Sequence, residues 1–261
     1  MSGSGRPFDP PVALASLSGE SVHEWAERGA EYAGAAFLGG IAIDEESREA
    51  ARAMVADRDR TEFLPADPLA WIDRQLSALA DADVRPAVNV RSATVPPVRA
   101  AAEACVAHGA ILEINAHCRQ AELCAAGCGE TLLRDADRLA EYVRAASEAG
   151  ATVSVKVRAE VAGVELRETA AAVEAAGADC LHVDAMDSEG VVASVVEAVP
   201  DLFVVANNGV RDARTVREYL TYGADAVSVG RPSDDPRVLR RVHDATAEWF
   251  TESEQRREVQ P

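Results

Sequence analysis

Short runs of β-branched and apolar residues alternate along the chain with longer stretches whose apolar positions recur every three to four residues. The passage from the second pattern to the first is marked by Gly-Ala at Gly29-Ala30, Gly109-Ala110, Gly150-Ala151, Gly177-Ala178 and Gly223-Ala224. A glycine just past a helix takes the left-handed cap conformation without a Cβ clash, so each mark predicts helix stop, turn and strand start. Strand-like runs follow at 111–115, 153–157, 180–184 and 226–230, and similar runs lie at 12–17, 35–43, 86–90 and 202–206. Helical patterns separate them. Over 135–149, Asp135 is placed to cap the helix, Leu139, Tyr142 and Val143 share a face, and Gly150 closes it. Strands alternating with helices over ~250 residues predict one α/β domain, a parallel (β/α)8 TIM barrel. An open doubly wound sheet would carry a Gly-rich loop after its first strand, and Leu17-Ser-Gly-Glu-Ser21 holds no G-x-G-x-x-G. Between Ile43 and Pro86, two helical stretches and a Pro-containing loop predict an extra helix beside the barrel. The expected organisation is a flexible N-terminus over 1–10, the barrel over 11–250 and a disordered acidic tail over 251–261.

Composition narrows the function. With 48% hydrophobic and 27% charged residues in 261, the chain has material for a sizeable core, which excludes disorder and a fibrous repeat. The 26 Lys+Arg against 44 Asp+Glu give a net charge of -18, which repels phosphate backbones and anionic headgroups and disfavours a general nucleic-acid-binding surface. A carboxylate-rich, lysine-poor balance resembles proteins of halophilic organisms and makes the acidity a solvated, self-repelling surface. The basic residues are almost all arginine, and the one lysine is Lys156. The start of the chain has no apolar signal region and no stretch reaches membrane-spanning length, so the expected location is cytoplasmic with no membrane partner. An odd set of 5 cysteines predicts reduced thiols.

Barrel enzymes place their chemistry at the C-terminal ends of the strands. Read in order, those ends offer Glu113-Ile-Asn-Ala-His-Cys-Arg-Gln120, then Lys156 and Arg158, His182 and Asp184, Asn207-Asn-Gly209, and Gly230-Arg231. Glycine turns after the seventh and eighth strands suit a phosphate, to which Arg231 adds a bidentate contact.

The segment Asn115-Ala-His-Cys-Arg-Gln-Ala-Glu-Leu-Cys-Ala-Ala-Gly-Cys-Gly-Glu-Thr-Leu-Leu-Arg-Asp135 resembles the active-site segment of the tRNA-dihydrouridine synthases, with an Asn, a Cys three residues on, a Gly-x-Gly and a Leu-Leu-x-Asp helix start. Val153-Ser-Val-Lys-Val-Arg158, Ala206-Asn-Asn-Gly-Val210 and Val229-Gly-Arg231 match the later motifs of that family. The resemblance implies an FMN-dependent barrel that reduces the C5–C6 bond of a uracil ring, in tRNA or in a smaller pyrimidine, with NAD(P)H as electron donor. Cys118 is then the general acid that protonates C5 as hydride from reduced FMN reaches C6, and a thiol with pKa near ~8.5 stays mostly protonated at neutral pH. Asn115 would orient substrate, and Lys156 would sit beside the flavin and stabilise its anionic reduced form. Asn89 would hold the ring, and Asn207, Asn208, Gly209, Gly230 and Arg231 would hold the phosphate. His117, Arg119, His182 and Asp184 are the expected substrate contacts. A lysine kept where composition has removed the others supports the role of Lys156 independently.

Departures from the family bear on the substrate. His117 replaces a Gly, Arg119 a Pro, Asp184 a His and Met186 an Arg. Residues 231–261 are all that follow Gly230, so no counterpart of the helical domain that grips tRNA is expected; with the charge of -18, this tells against tRNA itself as the substrate. Two rival readings are a dihydroorotate- or dihydropyrimidine-dehydrogenase-like enzyme on the same barrel, and a barrel that binds FMN or a phosphorylated ligand without turnover. Cys118, Cys124 and Cys128 are not spaced as C-x2-C, so no metal is expected.

Overall fold

Eight parallel strands close in sequence order around the axis of the computed structural model, which describes residues 6–57 and 61–259. They are β1 (Val12–Leu14), β2 (Ala35–Ala42), β3 (Arg85–Arg91), β4 (Ile111–Asn115), β5 (Thr152–Arg158), β6 (Cys180–Asp184), β7 (Phe203–Asn207) and β8 (Ala226–Val229). Val12 opposite Val227 and Leu14 opposite Val229 seal β1 to β8, so no strand edge remains in the sheet. Helices that include Val95–Ala107, Ala136–Glu148, Leu166–Ala175 and Ala213–Thr221 lay apolar stripes on the outside of the sheet. Asp135 caps its helix as expected, accepting from the Arg138 N–H at 3.1 Å. The helix Glu45–Asp57, before Pro68–Ala78, is the additional one.

Gly109, Gly150, Gly177 and Gly223 all take positive φ just past a helix, which is the cap the Gly-Ala marks predict. Gly29 differs. It is the last residue of the helix His23–Gly29, and a Cβ on it would lie 2.5 Å from Leu14 Cδ1, so this glycine serves close packing on β1.

Inward positions recur every second residue along each strand, and their chemistry changes with height. The lowest level is an apolar plug containing Ala13, Phe37, Ile111, Cys180 and Val205. One step up stands a polar level of Asn89, Glu113, Ser154, His182 and Ser228, all fully buried. The next step carries Arg91, Asn115, Lys156 and Asp184 at the rim, and Arg158 stands one step above Lys156 on β5.

Both expected disordered ends are corrected where they are described. Phe8 is 4% exposed and meets Phe203 edge-on at 5.3 Å, so the chain around it closes the bottom of the barrel; residues 1–5 lie outside the described residues. The helix Pro236–Val259 runs through most of the expected tail. Arg217 pairs with Glu248 (2.9 Å) and Glu252 (3.4 Å), and Trp249 and Phe250 pack on the core, which ties down a segment that composition alone reads as free. Residues 260–261 lie outside the described residues. Among the described residues no helix is long and apolar enough to cross a membrane.

Candidate active site

A cavity of about 990 Å³ opens at the rim and brings together Asn115, His117, Cys118, Arg119, Lys156 and Asp184, with Arg231 on its far side. The chain leaves β4 through a turn built by Asn115, whose Oδ1 accepts from the backbone N–H of His117 (3.2 Å) and Cys118 (3.0 Å). The Gly-x-Gly that follows is a packing requirement. A Cβ on Gly129, at φ 58, would lie 2.0 Å from the Cys118 carbonyl oxygen, which accepts from the Glu130 N–H at 2.8 Å. Cys118 then packs with Leu123, Cys128, Ala50 and Met54, the last two on the additional helix. Gly129→Ala should therefore lower stability by about 1–3 kcal/mol through backbone strain and displace the Cys118 loop, read as a lower urea midpoint; an unchanged midpoint would show that the loop has room.

Charge at the rim is arranged around the thiol. Burial alone would raise the Cys118 pKa, but the Arg91 guanidinium and the hydrogen bond with His117 outweigh it and bring it down to about 6. Against the expectation of a thiol that stays mostly protonated at neutral pH, the surroundings of Cys118 favour the thiolate. Arg91 is itself buried, donates to Glu62 Oε2 at 2.6 Å and to Ser18 Oγ, and leaves Nε without a partner among the described residues. His117 Nε2 lies 2.6 Å from Asp184 Oδ2. Burial would lower the imidazole pKa, yet its bonds to Asp184 and Cys118 hold it above its ordinary value. Asp184, whose Oδ1 accepts from Asn208 Nδ2 at 2.8 Å, stays well below the usual carboxylate range; burial opposes this and His117 outweighs it.

Two expected ligand contacts are corrected. Asn89 and His182 belong to the polar level beneath the cavity and do not line it. His182 Nδ1 is 2.7 Å from Glu113 Oε2 and Nε2 is 2.7 Å from Ser228 Oγ, so both ring nitrogens are satisfied inside the barrel. Asn89 donates to Glu113 Oε1 (2.7 Å) and accepts from Asn115 Nδ2 (2.8 Å). Alternation placed both side chains inward correctly, but strand height decided that they brace the site from below. Lys156, by contrast, is 3% exposed and reaches the cavity, and no side chain among the described residues accepts from its ammonium.

Asn207, Gly209 and Gly230 sit beside the cavity without lining it, and Asn208 joins it through Asp184. Tyr219 fixes that loop by donating to the Asn207 and Asn208 carbonyls at 3.2 and 2.9 Å. Sequence reasoning missed Arg91 and Glu62 as parts of the site and gave Glu113, read among the strand ends, no role. Arg91 carried a usable signal, because it stands two residues beyond Asn89 on the same face of β3, where a strand ended at Val90 cut it off. Cys124 donates to the Cys118 carbonyl at 3.5 Å, and burial pushes Cys128 up to about 12. Among the described residues no group of three or more His, Cys, Asp or Glu side chains is placed to hold a metal ion.

Residues 42–260 match the family described as dihydrouridine synthase (Dus). A protein of Methanocaldococcus jannaschii, described as uncharacterized, is 25% identical over 237 residues, covering 86% of this chain and 89% of that protein. Among solved structures the chain is similar to DHODH from Eimeria tenella in complex with ferulenol, with a TM-score of 0.70 at 17% identity over 93% of this chain and 82% of that one. It is also similar to a FabK mutant from Thermotoga maritima, with a TM-score of 0.57 at 18% identity over 85% of this chain and 61% of the FabK chain, less than two thirds of its length. At these identities the likeness to solved structures is one of fold.

Proposed function

The chain belongs to the dihydrouridine synthase family, and on that premise we propose that it is an FMN-dependent oxidoreductase that reduces the C5–C6 bond of a uracil ring. The observation that carries this reading is the meeting of Cys118 and Lys156 in one cavity, a cysteine sulfur able to carry and release a proton and an ammonium without a side-chain acceptor among the described residues, raised from the neighbouring strands β4 and β5. The donor set fits the flavin. The cavity is at the upper end of the ~300–1,000 Å³ range of ligand sites, and it is walled by Lys156, Arg158 and Arg231 in a chain of net charge -18. Arg158 Nε and Gln120 Oε1, on residues that line it, have no partner among the described residues.

Bound FMN supplies the hydride. Lys156 stabilises negative charge on the ring, and Arg231 with the Gly209 and Gly230 turns takes the phosphate. Asn115 fixes the Cys118 backbone so that the thiol faces the cavity, and Cys118 delivers the proton to C5. NAD(P)H is the proposed electron donor, and the acidic surface favours a free pyrimidine nucleotide over tRNA. A second reading, a carboxylated pyrimidine of the dihydroorotate type, is favoured by Arg119, an exposed guanidinium on the cavity wall next to Cys118.

The test loads the full chain with FMN, reduces it, and mixes it with uridine monophosphate, orotate and unmodified tRNA while flavin absorbance is followed. Reoxidation by uridine monophosphate supports the first reading and reoxidation by orotate alone supports the second. A chain that takes up no FMN overturns both. Lys156→Met should weaken binding of the reduced flavin by about 10- to 100-fold, the worth of one hydrogen bond to a charged group, measured by fluorescence titration under reducing conditions.

A further inference from the structure

His117 and Asp184 stand at two of the positions where the chain departs from its family, and in the structure these two side chains meet. His117 Nε2 is 2.6 Å from Asp184 Oδ2, and the other carboxylate oxygen is tied to Asn208 Nδ2 (2.8 Å) and the Met186 N–H (3.3 Å). Asp184 is thus fixed on both sides and in turn fixes the imidazole. The thiol is on the next residue in the chain, and Asn115 Oδ1 holds the two backbone N–H groups of His117 and Cys118 together. A carboxylate that orients an imidazole, which in turn serves a thiol, is the arrangement by which a base and a nucleophile or acid share one proton.

We propose that His117, oriented by Asp184, stores the proton that Cys118 delivers. The inference rests on the reading of Cys118 as the proton donor to C5. In the resting site the proton is on the imidazole and the sulfur is a thiolate. On turnover the His117 proton passes to Sγ, and Sγ passes a proton to C5 as the hydride of the reduced flavin adds to C6. The C5–C6 double bond gains two electrons and two hydrogens, the flavin is oxidised, and the pair is left as thiolate and neutral imidazole until one proton from solvent recharges it.

The groups around the pair agree with this placement. Arg91 on β3 favours the thiolate, and Glu62, in the loop after the additional helix, opposes it. Lys156 on β5 opposes the imidazolium and Asp184 on β6 supports it. With Cys118 brought down to about 6 and His117 held above its ordinary value, a pH interval opens in which the pair carries a single shared proton.

The test is the pH dependence of iodoacetamide alkylation at Cys118, read on its own peptide by mass spectrometry in the full chain with and without FMN. The wild-type rate should be half-maximal near pH 6. His117→Gln and Asp184→Asn should each move that midpoint up by about one unit or more, through loss of the imidazolium beside the sulfur. If both variants keep the wild-type midpoint, Arg91 alone sets the thiolate and the proton store is overturned. A wild-type His117 ring-proton resonance that titrates above its ordinary value supports the store without any substitution, and one that titrates below it overturns the store. A shifted midpoint in a chain that reduces no uracil compound overturns the reaction and supports the store; an unshifted midpoint in a chain that does reduce one has the opposite meaning.

Discussion

Cys118→Ala should lower the rate of uracil-ring reduction by about 10²–10⁴-fold, the usual worth of a positioned general acid, and leave FMN binding within a few-fold of wild type. The separation follows from the geometry. The groups proposed to hold the flavin, Lys156 on β5 and Arg231 after β8, keep their places when one sulfur is removed from β4's loop, because that loop is fixed by Asn115 and by Gly129 rather than by the thiol. The surrounding Leu123, Cys128 and Met54 lose one small contact. Cys118→Ser tests the same point from the other side, because a hydroxyl keeps the shape but gives up its proton far less readily than a thiol beside Arg91 and His117. Flavin reoxidation by uridine monophosphate, measured under single-turnover conditions, reads the chemical step directly. Undiminished reoxidation in Cys118→Ala would remove the thiol from the reaction and transfer the proton to another group on the cavity wall, His117 being the nearest in sequence.

The barrel was legible because its evidence is local and repeated. Each Gly-Ala mark needs only one helix end and one strand start, and the register that follows is forced by the buried face of each strand. Gly29 shows the limit of that argument: its place in the pattern was right and its reason was different, since contact with Leu14 is a tertiary fact. The same limit separates the parts of the site. Cys118, Asn115 and His117 come from one short segment whose order in the sequence is their order in space. The Arg91–Glu62 pair joins residues 29 apart in sequence, and no periodicity announces a carboxylate that arrives from a loop. Asn89 and His182 were placed on the correct face but at the wrong height, because alternation gives in or out and does not say how far the cavity floor extends. The C-terminal helix was misread for a related reason, as its polar sequence becomes ordered only against Arg217 on a neighbouring helix.

Glu113→Ala should destabilise the chain by about 3–5 kcal/mol, the range for removing one member of a buried charged network. Glu113 is fully buried and accepts from Asn89 (2.7 Å) and Ser154 (3.1 Å), with His182 Nδ1 at 2.7 Å, so the alanine variant strands three polar side chains where water does not reach. Through Asn89 the loss also reaches Asn115, which sets the Cys118 turn, so weaker binding at the site should accompany the lower stability. The pH dependence has a definite sign. Burial would raise the Glu113 carboxyl, but His182, Lys156 and Asn89 hold it below its ordinary value of 4.5, and burial holds His182 below 6.5. In both cases the unfolded chain binds protons that the fold refuses, so stability rises with pH across each window. The His182 contribution is complete above about 6.5 and fades below it, and the Glu113 contribution is lost at lower pH still, as the pH falls from 4.5 through the folded-state value. Urea unfolding of wild type and Glu113→Gln at a series of pH values isolates the second contribution from the other carboxylates, which both proteins share. Because Glu113 also supports a proton on His182, the wild-type advantage should be constant above about 6.5, where neither group titrates, and shrink below 4.5 as Glu113 itself takes up a proton; an advantage that persists unchanged below 4.5 would mean that Glu113 is buried in its neutral form.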